Sequence, residues 1–362
     1  MKIIFVLSSI HAIHSHKRIK EFIDNGFNVE IYGFSREEDI ITKNERFIIN
    51  LIGTFTNKLS YIKRVPIIYK GLKKVIKKVK SEDILYIFGL DIAMFLKFFH
   101  HVNYIYEEAD LTYTYFNNKL LQNIFKKIDK SIIHNSVESI LTSDGFVQYL
   151  FDVKKQRPSN VSIIPNKLNP NIINYPIAHK HDIDINHIRF GFVGNARFIS
   201  VYNFVKIVAE KFPQHEVVLY GSFSHTLEEK FEKIIDNYVN ISYRGRFENP
   251  QSLSDVYRNI DISIGTYDVT SDNVRYAEPN KLYEAIYFNI PIIVSDDTFL
   301  SKKVSQLGIG CGINALQDKS IIDFIKNINK DQIDMWTKNC SLIKKEECIN
   351  SNNLFFQKLN KK

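Results

Sequence analysis

YAEPNKLYEAIYFNIPIIVSD, residues 276–296, holds a helix start, a helix and a buried strand in one short run. Pro279 suits the first turn of a helix, where its missing N–H costs nothing. NKLYEAIYFN then has amphipathic helical spacing, and PIIVS reads as a strand buried on both faces. A helix start leaves backbone N–H groups unpaired and carries a partial positive charge. Lys281 adds a full charge in that turn, which makes an anion site suited to a diphosphate. Glu284, one turn on, suits the hydroxyls of a ribose diol. The same letters also fit an ordinary helix whose Lys281 and Glu284 face water.

Around this stretch, apolar runs alternate with amphipathic ones. KIIFVL, NVEIYGF, RFIINLI, DILYIF, VNYIYEE and SILTSD read as strands in the first half, with helices such as HKRIKEFIDNG and VPIIYKGLKKVIKKVKS between them. RFGFVGN, EVVLYGS, NISYRGR, DISIGTY, PIIVSD and GCGINA repeat the theme in the second half. The alternation predicts two doubly wound α/β domains. The Pro- and Asn-rich stretch at 157–187 marks the boundary, with the linker beginning at Pro165. The expected division is 1–165, 166–330 and a helical segment at 331–362.

The 362 residues are 44% hydrophobic and 24% charged, as in a soluble globular protein. The 3 cysteines lack C-x-x-C spacing, so neither a disulfide framework nor a zinc knuckle is expected. No run is long and uncharged enough to span a membrane. The N-terminal apolar run lacks a small-x-small cleavage site and reads as a strand rather than a signal peptide. A net charge of +8 admits an anionic partner, yet no aromatic-basic motif points to nucleic acid.

PNKLYEAIYFNIPIIVS is similar to the donor-site helix of GT-B glycosyltransferases, above all the large retaining family 4 and its bacterial surface-polysaccharide branches. VSIIPN resembles their interdomain hinge, and FGFVGN the strand and glycine loop that open their second domain. ISYRGRFENPQSLSDVYRNIDISIGTY resembles their following strand, helix and strand. The resemblance implies two Rossmann-like domains facing across a cleft, the first for acceptor and the second for donor. It implies a C-terminal helix returning toward the first domain, retention of anomeric configuration, and no bound metal or cofactor. The co-substrate would be a nucleotide-diphosphate sugar, a UDP-sugar ahead of a GDP-sugar.

Carried over by residue, Glu284 would hold the ribose hydroxyls, and Lys281 and Arg197 the diphosphate. Gly194 would admit the backbone close to it, Arg246 and Phe247 would flank the base, and Tyr267 would line the donor pocket. The family's usual pair of glutamates eight residues apart is incomplete, because Tyr276 stands where the first would fall. Glu278, expected to be catalytic, or Asn280 would replace it near the transferred sugar.

SSIHAIHSHKR, residues 8–18, follows the first strand and so lies where open α/β sheets bind ligands. His11, His14 and His16 lack the spacing of a metal site. In the resemblance His14 matches a family histidine and would bind or polarise an acceptor hydroxyl. VNYIYEEADLTYTY places Glu107, Glu108 and Asp110 at another strand end, where Asp110 would hold the acceptor or act as base and Glu107 would contact the acceptor. Asp182-x-Asp184 lies in the polar linker and is discounted as a metal-diphosphate motif. GFVGN lacks the third glycine of a dinucleotide fingerprint.

VPIIYKGLKKVIKKVK sets Lys70, Lys73, Lys74, Lys77 and Lys78 opposite an apolar face. This fits a core-facing helix with a solvated lysine face, or reversible attachment to an anionic membrane. Together these readings point to a cytoplasmic glycosyltransferase, peripheral to the inner face of the cell membrane. It would act on a hydroxyl of a lipid-linked or growing surface glycan. The alternatives are a nucleotide-sugar 2-epimerase on the same fold and a non-catalytic nucleotide-sugar-binding subunit.

Overall fold

Continuous apolar runs become strands because both faces of a parallel sheet are covered. The computed structural model describes residues 1–11, 13–36, 47–56, 58–99, 102–151, 157–175, 177 and 182–360. The chain divides into two units, one of Met1–Ile164 with Asn353–Lys362 and one of Pro165–Asn352.

In the first unit β1 (Lys2–Leu7), β2 (Asn28–Arg36), β3 (Ile49–Phe55), β4 (Ile84–Phe88), β5 (Tyr104–Glu108), β6 (Glu138–Leu141) and β7 (Val161–Ile163) form a sheet. The order is β3-β2-β1-β4-β5-β6-β7, and all pairs are parallel. In the second unit β8 (Arg189–Ala196), β9 (Glu216–Phe223), β10 (Ile241–Tyr243), β11 (Ile262–Gly265), β12 (Ile292–Ser295) and β13 (Gly310–Ile313) pair in parallel as β10-β9-β8-β11-β12-β13. In each sheet the first strand lies between neighbours whose winding runs in opposite directions. That leaves a crevice at its carboxyl end.

VSIIPN, which resembles the interdomain hinge, contributes β7 before Pro165 opens the second unit. The tail is not one segment. Lys330–Leu342 is helical within the second unit and buries Trp336 and Cys340, whereas Asn353–Leu359 belongs to the first unit. There Phe356 packs edge-on against Phe22 at 5.0 Å, and Lys358 bonds Glu138 at 2.6 Å.

The lysine-rich helix runs Tyr61–Ile76, so it starts a turn earlier than expected and passes through Pro66. It buries Ile68, Gly71, Leu72 and Val75, with Gly71 against the Phe34 ring. Lys70, Lys73 and Lys74 are exposed on it, but Lys77 and Lys78 lie beyond its last residue. The chain tightens there through bonds from Lys78 N to Val75 O and from Val79 N to Ile76 O, which corrects the expected five-lysine helix. Lys78 turns toward Tyr32, its ammonium 5.3 Å from the ring centre. No helix among the described residues is long and apolar enough to cross a membrane.

β5 buries two consecutive glutamates completely. Alternation sends them to opposite faces. Glu108 shares its face with Tyr106, whose hydroxyl bonds Asp129 on the helix Lys119–Asn135 at 3.0 Å. Among the described residues neither Glu108 carboxyl oxygen has a hydrogen-bond partner. Burial, then Asp129, Asp110 and Asp91, hold Glu108 well above the ordinary carboxyl range. Burial pushes Asp129 up to about 7, against the Tyr113 hydroxyl.

Carboxyl groups raised in the folded state stabilise it fully below their unfolded values, and that contribution is lost as pH rises through the folded value. The window here runs from about 4 to about 7. Asp129→Asn should remove a pH-dependent term on the order of 1–4 kcal/mol from urea unfolding curves across that window, flattening the decline. Glu108→Gln should act in the same direction. An unchanged slope in both variants would show that the pair ionises normally.

Candidate functional site

The carboxyl end of β8 is shaped by a glycine pair. Gly194 on β8 and Gly221 on β9 are register partners with φ of +134° and +118°. A Cβ on Gly221 would overlap the Gly194 carbonyl oxygen, and a Cβ on Gly194 would lie 3.0 Å from the Lys281 ammonium. The Gly194 backbone therefore lies against that ammonium, and the Gly221 backbone against Gly194, without a side chain between.

Lys281 comes from the helix Asn280–Tyr287. Pro279 is the residue before this helix, not its first turn, and fixes the extended entry at φ −76°. Lys281 is 7% exposed, donates to the Val193 carbonyl and sits 4.2 Å over the Phe192 ring. Burial lowers its pKa to about 8, opposed by Glu284. It therefore remains a cation at neutral pH.

Glu284 is 3% exposed. Its Oε2 accepts from the Tyr257 hydroxyl at 2.6 Å, and its Oε1 from the Asn280 amide at 3.0 Å. Burial raises its pKa, with Lys281 and Tyr257 opposing. The reading in which Lys281 and Glu284 face water is thus excluded. Burying both charges costs solvation, which a structural surface helix would not require.

The other donor-side residues surround this pair at different depths. Arg197 is exposed beyond β8, its guanidinium 5.1 Å from the Phe198 ring. Phe198 meets Tyr267 edge-on at 4.9 Å. The Tyr267 hydroxyl is raised by burial and then by Glu284, with Arg197 opposing, so these residues share one electrostatic neighbourhood. Tyr267 is pinned by reciprocal backbone bonds with the Ser295 hydroxyl at 2.8 and 2.6 Å. Arg246 is exposed and Phe247 half-buried in the loop after β10. That loop is tied to the glycine pair by a bond from Gly221 N to Gly245 O at 2.7 Å.

Glu278 is buried. Its Oε1 accepts from the Tyr283 hydroxyl and, at 2.7 Å, from Lys303, while Oε2 has no hydrogen-bond partner among the described residues. Asn280 is exposed but engaged on Glu284. A pocket of about 210 Å³ lies at the ends of β11, β12 and β13. Of the donor-side residues, only Tyr267 is part of its lining.

Asp268 was not anticipated. Its carboxylate accepts from the N–H groups of Ile199 and Ser200 at 2.9 and 2.8 Å, closing the start of the helix Ile199–Lys211. An anion near Arg197 therefore meets a helix end that is already capped. The only sequence signal was an Asp next to Tyr267, and its partners lie 69 and 68 residues away.

In the first unit the three histidines diverge. His16 Nε2 lies 2.7 Å from the Ile10 carbonyl, His11 N–H bonds Ser9, and His14 Nε2 lies 2.7 Å from Glu107 Oε1. Among the described residues no group of three or more His, Cys, Asp or Glu could hold a metal ion. Glu107 was expected to meet the acceptor, but it is fully buried and engaged by Arg18, Tyr86 and His14. Arg18, also unanticipated, stands one helical turn after His14 on the same face. Asp110 is exposed after β5.

No family model and no curated protein matches the chain. Solved structures do. Sucrose-phosphate synthase from Thermosynechococcus elongatus superposes with a TM-score of 0.69 at 14% identity, covering 100% of this chain and 98% of that one. The Anabaena protein HepE in complex with UDP gives 0.69 at 12% identity, with 100% of both chains covered. A UDP-forming α,α-trehalose-phosphate synthase from Burkholderia vietnamiensis gives 0.64 at 9% identity, again over 100% of both. These neighbours are GT-B glycosyltransferases, and the likeness over the full length establishes that fold for this chain.

The glycine pair gives a direct check on the site's construction. Gly221→Ala forces a Cβ into the neighbouring backbone and should cost more than about 3 kcal/mol of stability in chemical unfolding. Gly194→Ala, which meets only the movable Lys281 side chain, should cost about 1–3 kcal/mol. Equal and small effects would mean that the two strands do not approach so closely beside Lys281.

Proposed function

We propose that the protein is a glycosyltransferase using a nucleotide-diphosphate sugar, with a UDP-sugar ahead of a GDP-sugar. The observation that carries this reading is the buried Lys281–Glu284 pair beside Gly194, at the switch point of a GT-B unit. Two of the three neighbours named above are described with UDP in their names, which supports the choice of nucleotide.

In this reading Glu284 exchanges its Tyr257 and Asn280 bonds for the ribose hydroxyls. Lys281 and Arg197 stabilise the charge that develops on the leaving diphosphate, an electrostatic contribution preset before reaction. Arg246 and Phe247 flank the base, Tyr267 lines the pocket, and Glu278 with Asn280 contacts the sugar. His14 and Asp110 serve the acceptor. We further propose a lipid-linked or growing surface glycan as acceptor, reached from the cytoplasmic face of the membrane. The exposed lysines at 70, 73, 74 and 77 support that placement, with Lys78 beside them.

UDP should raise the melting temperature of the wild type. Glu284→Ala and Lys281→Ala should each weaken UDP binding at least tenfold by calorimetry, because hydrogen bonds to charged groups contribute about 1.5–3 kcal/mol. UDP affinity should also fall as pH rises through about 8, where the Lys281 ammonium is lost. That step should be missing in Lys281→Met. Unchanged binding in both alanine variants would remove the site.

Vesicles containing anionic lipid should retain the protein at low salt and release it as salt approaches physiological strength, where the Debye length is about 8 Å. Changing Lys70, Lys73, Lys74, Lys77 and Lys78 to Gln should abolish retention without altering UDP affinity. Equal retention of that variant would leave the lysines as a solvated face and point to a soluble acceptor.

A further inference from the structure

We infer that Lys345 is a positioning residue for nucleotide binding: its ammonium locks the last turn of the helix Asn280–Tyr287 and so fixes the Glu284 carboxylate for the ribose. The inference rests on the transferase reading above, and every residue it uses belongs to the second unit.

The helix has 8 residues, so its two turns divide the work. Lys281 stands in the first turn and Glu284 opens the last. The Glu284 carbonyl accepts from Phe288 N–H at 3.0 Å. Further bonds run from Asn289 N to Ile286 O at 3.2 Å and from Ile290 N to Ala285 O at 2.8 Å. Asn289 takes the left-handed conformation that ends helices, with φ +58°.

The last carbonyls of a helix lack helical partners and carry the negative end of its dipole. Lys345 meets them. Its ammonium donates to the Ile286 carbonyl at 2.7 Å, to the Asn289 side-chain oxygen and to the Cys340 carbonyl at 3.4 Å. All of these acceptors are neutral, so the lysine serves a helix end rather than an ion pair. Burial lowers its pKa, with Cys348 and Cys340 opposing. The Cys340 thiol adds a bond to the Ile290 carbonyl at 3.7 Å.

The lock reaches Glu284 by two routes. One is the shared backbone turn. The other is aromatic. Phe288 stacks on Tyr257 at 4.8 Å with the planes 7° apart, and the Tyr257 hydroxyl donates to Glu284 Oε2 at 2.6 Å. Both rings are buried. Releasing residues 286–289 frees Phe288, shifts Tyr257 and turns the carboxylate.

Lys345 is itself anchored. It opens the single turn Lys345–Cys348. The Cys348 carbonyl accepts from Leu168 N–H at 2.9 Å, and Asn350 N–H returns to the Leu168 carbonyl at 3.0 Å. Leu168 and Ile349 form a parallel bridge. A cation at a helix end stabilises any helix. Here the capped turn is the one that carries Glu284, so the cap acts on ligand binding as well.

The test measures UDP affinity by calorimetry and stability by thermal melting on the full chain. Lys345→Met keeps the length of the stem and removes the charge. It should lower both, with UDP affinity falling at least about fivefold, the scale of coupling inside one hydrogen-bond network. Ile325→Ala lies in the core cluster that does not include this helix. It should lower the melting temperature while UDP affinity stays within about twofold. In a Glu284→Ala background, Lys345→Met should change UDP affinity by less than about twofold, because the carboxylate it acts through is gone. Its effect on melting should persist there. Asn289→Gly separates the two roles. Glycine suits the left-handed φ and favours the helix end, but it deletes one Lys345 bond. Melting temperature should hold while UDP affinity falls, by less than in Lys345→Met.

Three results would each overturn the inference and leave the donor site standing. They are unchanged affinity in Lys345→Met, an equal loss of affinity in Ile325→Ala, and an undiminished Lys345→Met effect in the Glu284→Ala background. Should Lys345→Met not fold, Asn289→Gly decides, and unchanged affinity there rejects the inference. A wild type that fails to bind UDP, or a Glu284→Ala variant that binds it normally, overturns the donor-site reading and this inference with it.

Discussion

The second unit depends on a place where two backbones leave no room for a side chain. β8 and β9 run in register from Arg189↔Glu216 to Ala196↔Phe223, the longest pairing in that sheet. Any side chain at Gly221 would push the strands apart at their carboxyl ends. Because glycine stands there, the pairing persists past Val193, whose carbonyl then receives the Lys281 ammonium. Helix, strand and cation are fixed by one steric requirement. A buried lysine would otherwise lose its proton or its place.

The first unit handles buried charge through contrast between neighbours. Glu107 and Glu108 are adjacent and equally buried, yet they face different surroundings. One meets a guanidinium, a hydroxyl and an imidazole, and stays ionised. The other meets acidic neighbours and, among the described residues, no donor, so its carboxyl is held well above the ordinary range. At low dielectric, the sign of the nearest group settles the protonation state. Strand alternation alone separates them, so a one-residue slip of β5 would exchange their environments.

Much of this was legible in the sequence. Uninterrupted apolar runs such as KIIFVL and DILYIF announced parallel strands, because only residues buried on both faces can be apolar throughout. The stretch at 276–296 located Lys281 and Glu284 correctly on one helix, since their spacing is local. Long-range partners were not legible. Arg18 finds Glu107 across 89 residues, and Asp268 finds Ile199 across 69, with no periodicity to betray either pairing. Glu107 read as an acceptor contact because a glutamate at a strand end is more often exposed than buried. The lysine run misled about its helix's end because lysine continues a helix readily and gives no stop signal. The stop came from tight turns after Ile76 instead.

The helix Asn353–Leu359 completes the unit that the chain began, with Phe355 and Phe356 against Phe22 and with Leu359 in the same core. Everything from Pro165 to Asn352 is therefore an excursion inside a discontinuous unit. On the ribosome, the sheet of the first unit is made before the second unit, yet the side of Phe22 that Phe355 and Phe356 cover stays open until residues 353–359 leave the tunnel. The second unit, contiguous in sequence, has all its partners earlier. Order of synthesis and order of completion are thus opposite for these two units, and the one begun earlier is the later to be sealed.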